Sequence, residues 1–157
     1  VSAIPYSKYI ALVIFVVASL TDTLDGYIAR KYKLVSNFGK FMDPLADKLL
    51  VSSAMICLVS LNRIPAWVVI VIISREFIIS GFRLVASDAG VVIAASWWGK
   101  IKTVVQMIMV IVLILSIHNP VVAVIEQILI YLALVLTVVS LLDYLIKNWK
   151  VMDDGKM

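Results

Sequence analysis

Four aspartates and two glycines within 26 residues carry the chemistry of this chain: Asp22-x-x-Asp25-Gly26-x-x-Ala29-Arg30, then eight residues, then Gly39-x-x-x-Asp43-x-x-x-Asp47. Their setting gives them meaning. The chain is 63% hydrophobic with a mean hydropathy of +1.08, so these carboxylates lie at or inside the edge of a bilayer. An ionised group there costs on the order of 3 kcal/mol unless it is paired, hydrated or bound to metal. Four together repel one another, and divalent cations are the simplest remedy. Oxygen ligands without His or Cys suit Mg²⁺, Mn²⁺ or Ca²⁺ rather than zinc.

The spacing turns the carboxylates into a site. At about 100° per residue on a helix, Asp22, Asp25, Gly26 and Ala29 share one face, and Gly39, Asp43 and Asp47 line a stripe on a second helix. Two such helices facing each other aim four carboxylates at one point. The small residues on the same stripes leave room for a bulky ligand against the backbone. Helix capping by Asp43 before Pro44 accounts for one aspartate, not for four.

The elements that hold this site are long apolar runs over residues 10–24, 45–61, 66–84, 101–117 and 121–146. Such runs cannot expose backbone to lipid, so the expected fold is all-α: a polytopic transmembrane helix bundle of five spans in a single membrane domain over residues 1–157. Breaks fall at Asn62-Arg63-Ile64-Pro65, Ser87-Asp88-Ala89-Gly90 and His118-Asn119-Pro120. Arg30, Lys31, Lys33, Lys40, Lys48, Arg83, Lys100, Lys102, Lys147, Lys150 and Lys156 gather on one side, against Lys8 and Arg63 on the other. The positive-inside rule therefore places the aspartates and the C-terminus in the cytoplasm. The net charge of +4 reads as a membrane-surface signature and not as a nucleic-acid footprint.

A second constellation is basic. Arg75 and Arg83 stand eight apart on one apolar helix, about 80° apart around it and roughly 12 Å along it, with Glu76 beside the first. Guanidinium groups within a span face a polar cavity or a partner and bind phosphate bidentately, and Lys100 at the foot of the next helix can join them. The plainer alternative pairs Arg75 with a carboxylate of the cluster or with Glu126, and leaves Arg83 and Lys100 as interfacial anchors. Cys57 is expected to pack as a small hydrophobe, and Trp67, Trp97, Trp98 and Trp149 to form an aromatic belt.

The ordered pattern from Asp22 to Asp47, with every fixed position filled, resembles the signature of the CDP-alcohol phosphotransferases. The resemblance implies a six-helix membrane enzyme, a homodimer, that moves a phosphoryl-alcohol group from a CDP-alcohol to an acceptor hydroxyl and releases CMP. It implies two divalent ions, Mg²⁺ or Mn²⁺: Asp22, Asp25 and Asp43 hold one, Asp22, Asp43 and Asp47 the other. Asp47 is then the base, while Asp22, Asp25, Gly26, Ala29, Arg30 and Gly39 border the CDP moiety. Five spans against six, and Val1 in place of a methionine, predict that a first helix is missing from this sequence.

Ser74-Arg75-Glu76-Phe77 with Gly81-Phe82-Arg83, and Gly99-Lys100-x-Lys102-Thr103, look like the phosphatidylglycerophosphate synthase branch. There the matching Arg75, Arg83 and Lys100 hold the phosphate of glycerol 3-phosphate, the lipid substrate is CDP-diacylglycerol, and the enzyme sits in the bacterial cytoplasmic membrane with its site facing inward. Another acceptor, such as inositol phosphate, serine or phosphatidylglycerol, is the alternative within the family. An intramembrane prenyltransferase would need two separate Asp-rich motifs. A divalent-cation transporter gives no reason for the Gly26, Ala29 and Gly39 stripe.

Overall fold

The computed structural model describes residues 7–31, 37–88, 93, 96–117 and 119–153, with side chains at 9–21, 24, 28, 48–87, 93, 96–117 and 119–148. Five helices account for nearly all of it: α1 (Ser7–Lys31), α2 (Asn37–Ser60), α3 (Ala66–Asp88), α4 (Trp97–Leu115) and α5 (Pro120–Asp153). Each covers one of the five apolar runs, and there is no strand among the described residues. By length and apolarity alone, α4 and the Pro120–Asn148 part of α5 are long enough to cross a bilayer. In α1, α2 and α3 the apolar stretch is interrupted by the charged residues that the sequence pattern singles out.

Local chemistry sets the helix ends. Asn62 takes the left-handed conformation (φ 55°), while the Arg63 amide donates to Leu58 O and the Asn62 amide to Val59 O, both at 2.9 Å, which closes α2 in a Schellman motif. Pro65 follows, and its carbonyl accepts from Val68 N as α3 begins. Ser96 caps α4 by accepting from Gly99 N at 3.1 Å, and Asn119 caps α5 by accepting from Val121 N at 2.8 Å with Pro120 in the first turn.

Four helices form a ring in the order α2, α3, α5, α4, with each packed on the next, and α1 lies along the seam between α2 and α4. Consecutive helices joined by short connections alternate in direction. The consequence is a molecule with two zones. In one half the ring is filled by Met55, Leu58, Val68, Ile72, Met109, Leu113, Ile130 and Ala133, with Phe15 of α1 inserted. In the other half the same inner stripes become polar: Lys48 and Ser52 on α2, Arg75, Glu76 and Arg83 on α3, Lys102 and Gln106 on α4, Ser140 and Tyr144 on α5. Small inward residues, Ala133, Thr137 and Ser140, are at most 1% exposed and let α5 approach closely. The hydroxyls of Thr137 and Ser140 bond back to Ala133 O and Thr137 O, so they leave no orphan in a low-dielectric interior.

The exterior is apolar. Leu20, Ile70, Val121 and Ile146 are all more than 60% exposed, on faces that water would not tolerate at this extent and lipid accepts. Together with the helix lengths, this makes the chain a membrane helix bundle. Trp67 lies exposed at the start of α3, and Trp97 and Trp98 at the start of α4, so tryptophans occupy opposite ends of the bundle. Cys57 departs from expectation: it faces outward beside Ile56, because Met55 and Leu58 take the inner positions of that turn.

Candidate active site

Asp22, Asp25, Gly26, Ala29 and Arg30 lie in the C-terminal half of α1, and Gly39, Asp43 and Asp47 in the N-terminal half of α2. The side chains at these eight positions are outside the described ones. The backbone still places them. The helices α1 and α2 pack on each other and are joined by five residues, 32–36. At a rise of about 1.5 Å per residue, Asp25 and Asp22 lie roughly 9 and 13 Å before the end of α1, and Asp43 and Asp47 roughly 9 and 15 Å after the start of α2. The four aspartates thus occupy one depth at the polar end. Among the described side chains, no three His, Cys, Asp or Glu residues gather into a metal-sized group.

The basic constellation is visible in atomic detail. Arg75 is 8% exposed, and its Nη1 donates to Glu76 Oε1 at 3.2 Å. Lys102 Nζ pairs with the same carboxylate oxygen and is fully buried. Lys48, the residue after Asp47, lies within electrostatic range of both Glu76 and Lys102. One turn of α2 therefore carries Asp47 and a lysine that reaches into the ring. Eight residues along α3 from Arg75, the Arg83 guanidinium carbon sits 6.0 Å from the centre of the Tyr144 ring. The two arginines are close enough to repel. Their Nε atoms are buried and have no hydrogen-bond partner within the chain.

Arg75 is thus tied to its neighbour Glu76, and Glu126 pairs instead with Arg63, at 2.6 Å, at the opposite end of the bundle. Lys100 is exposed and lies 5.1 Å above the Trp97 ring, on the other side of α4 from Lys102. Sequence reasoning placed Lys102 among loop charges. The available signal was its spacing: two residues apart on a helix, Lys100 and Lys102 point about 200° apart and cannot both face one cavity.

The arrangement puts the four aspartate positions on two packed helices, and Lys48, one residue after Asp47, within electrostatic range of an inner cluster of Arg75, Glu76 and Lys102 that carries more positive than negative charge. Carboxylates suit hard divalent cations and guanidinium groups suit a phosphate, so a chain that carries both sets is equipped for phosphoryl transfer.

Comparison with known proteins agrees with this chemistry. Residues 1–139 match the family model described as CDP-alcohol phosphatidyltransferase. A Bacillus subtilis protein named CDP-diacylglycerol--glycerol-3-phosphate 3-phosphatidyltransferase is 49% identical over 152 residues, covering 94% of this chain and 78% of its own length. A protein of the same name from Haemophilus influenzae is 41% identical over 144 residues, covering 88% of this chain and 77% of its own length. The order of the aspartates, their common depth and these similarities converge, and the chain belongs to the CDP-alcohol phosphatidyltransferase family.

Proposed function

We propose that this protein transfers the phosphatidyl group of CDP-diacylglycerol to glycerol 3-phosphate, giving phosphatidylglycerophosphate and CMP. The observation that carries the choice of acceptor is the pair Arg75, which is buried, and Arg83, which is half-buried, each with a buried and unpartnered Nε in the polar half of the ring. Buried donors in a membrane interior are ordinarily satisfied, so an anionic ligand is the natural partner. Taken with Glu76 and Lys102, the two arginines leave an excess of two positive charges, which matches a phosphate near its dianionic form.

In the reaction, a hydroxyl of glycerol 3-phosphate attacks the phosphorus that bears the diacylglycerol. The bond from that phosphorus to the CMP oxygen breaks, and CMP leaves with the electron pair. Asp47 takes the proton from the attacking hydroxyl. Asp22, Asp25, Gly26, Ala29, Arg30 and Gly39 border the CDP moiety, while Arg75 and Arg83 orient the acceptor phosphate; Lys100, expected from the sequence to join them, instead lies exposed over the Trp97 ring, on the other side of α4 from Lys102. Asp22, Asp25, Asp43 and Asp47 would hold two Mg²⁺ or Mn²⁺ ions, which neutralise the pyrophosphate charge and stabilise the leaving phosphate. The donor set fits: four carboxylates on two packed helices, in motifs that contain no His or Cys. The site faces the cytoplasm of a bacterial inner membrane, by the bias of Lys and Arg toward that end of the helices. The enzyme works as a homodimer.

The test is an acceptor series with purified protein, CDP-diacylglycerol and Mg²⁺. CMP release is expected with glycerol 3-phosphate and to be at least ten-fold slower with glycerol, serine or inositol phosphate. A faster rate with any of these overturns the acceptor assignment.

A further inference from the structure

In the polar half of the ring, α3 and α4 are consecutive in sequence but diagonal in space: each packs closely on α5 and α2, and their backbones make no close approach to each other among the described residues. Long side chains span the gap. Glu76 reaches from α3, Lys102 from α4, and they meet in an ion pair whose lysine end is fully buried. The oxygen that Lys102 engages, Oε1, is also the one that receives Arg75 Nη1. On its other side Arg75 Nη2 lies against α4, 3.4 Å from where a Cβ on Gly99 would stand. The Arg75 guanidinium is therefore held at one amino group, abutted at the other, and presents an Nε with no partner in the chain.

We propose that Glu76 and Lys102 are positioning residues of the acceptor pocket, a buried strut across the α3–α4 gap that fixes the fork of Arg75 in the orientation that receives the acceptor anion. Neither residue touches the acceptor. The function of Lys102 is to occupy Glu76 from the far side so that the carboxylate neither neutralises Arg75 in a bidentate pair nor swings toward Lys48, which lies within its electrostatic reach. Lysine in place of arginine at position 102 suits this role, because an ammonium engages one oxygen as a point charge and leaves the geometry of the shared carboxylate to Arg75. Gly99 completes the arrangement: a methyl group there would stand 3.4 Å from Nη2, at the tight edge of van der Waals contact, so the guanidinium has no spare room on that side.

The inference rests on the proposed reading of the acceptor, and its test separates the two. Glu76→Gln, Lys102→Met and the double variant are assayed in detergent for acceptor KM, CDP-diacylglycerol KM and thermal stability. Glu76→Gln is expected to raise the acceptor KM ten- to a hundred-fold with the CDP-diacylglycerol KM within two-fold of wild type, and to lower the unfolding temperature, since it strands two buried cations. Lys102→Met is expected to raise the acceptor KM by several-fold. The double variant should regain much of the lost unfolding temperature yet keep the raised acceptor KM, a split that a purely structural pair would not produce. Should Glu76→Gln yield no folded protein, Glu76→Asp carries the same test: it keeps the charge, shortens the reach and should raise the acceptor KM with little loss of stability. An unchanged acceptor KM in these variants, or KM recovery together with stability in the double variant, overturns the positioning role. If wild type proves to use another acceptor, the proposed function fails while the same comparison, run with that acceptor, still decides whether the strut orients Arg75.

Discussion

Arg75 and Arg83 each keep a buried Nε without a partner in the chain, which is costly in a membrane interior, and the proposed acceptor phosphate would complete both. Replacing Arg83 by Ala should lower kcat/KM for glycerol 3-phosphate by roughly ten- to a thousand-fold, from a charge-assisted hydrogen bond of about 1.5 to 3 kcal/mol plus misplacement of the attacking hydroxyl. The KM for CDP-diacylglycerol should hardly move, and Arg83→Lys should rescue only in part because the fork is lost. Steady-state kinetics in the two substrates checks both. At the proposed metal-ligand positions the expectation is sharper: Asp22→Asn or Asp43→Asn should leave less than about a tenth of wild-type turnover while the protein still accumulates in the membrane, since the proposal assigns each carboxylate to both ions. Turnover above that level would contradict the two-ion assignment. The sequence made Arg75 and Arg83 readable as a pair because charge inside an apolar run is conspicuous. It did not reveal that Lys102, rather than Lys100, is the buried lysine. Both stand in one short motif, and only the orientation of α4 against α2 and α5 decides which faces inward.

At the scale of elements, the helices run further than the apolar runs that announce them. The first continues from its apolar stretch to Lys31, the second begins at Asn37, and the fifth reaches Asp153. In each case the extension is at the end where charges gather, because a helix that satisfies its own backbone need not stop where hydrocarbon does. Asp25 and Asp43 ride on two of these extensions, with Asp22 and Asp47 at the adjoining ends of the runs, so the apolar windows that locate the spans understate the length of helix that carries these residues. Turn chemistry, by contrast, was plain in the sequence. Asn62 before Pro65, and Asn119 before Pro120, mark the two connections that the structure closes with a left-handed residue and a side-chain cap. Asn62→Ala should destabilise the bundle by about 1 kcal/mol and Asn62→Gly should not, since only a residue with a Cβ that cannot hydrogen-bond locally is strained at φ 55°. Unfolding in detergent as a function of denaturant measures the difference. Close helix contact makes another demand: Ser140 is fully buried on α5, so Ser140→Leu should cost about 1 to 3 kcal/mol by overpacking. A variant as stable as wild type would mean that α5 packs less tightly than its small residues suggest.

The whole molecule is a bundle divided by depth, with a dry apolar half that holds the helices together and a polar half that binds charge. The division follows from the sequence of each helix, since every inner stripe turns from apolar to polar at the same level: Met55 to Lys48, Ile72 to Arg75, Met109 to Lys102, Ala133 to Ser140. Such agreement across four helices gives the bundle one polar end, which suits the proposed meeting of a water-soluble acceptor with a lipid-borne donor at the membrane surface. The transfer that this architecture is argued to perform makes one demand on the atoms, that the oxygen of the acceptor hydroxyl becomes the bridging oxygen of the new phosphodiester. Glycerol 3-phosphate labelled with ¹⁸O at its hydroxyls, incubated with the protein, CDP-diacylglycerol and Mg²⁺, should give phosphatidylglycerophosphate that retains the label at that bridge, with an equal amount of unlabelled CMP by mass spectrometry. Label in CMP, or CMP release that does not depend on glycerol 3-phosphate, would contradict the account.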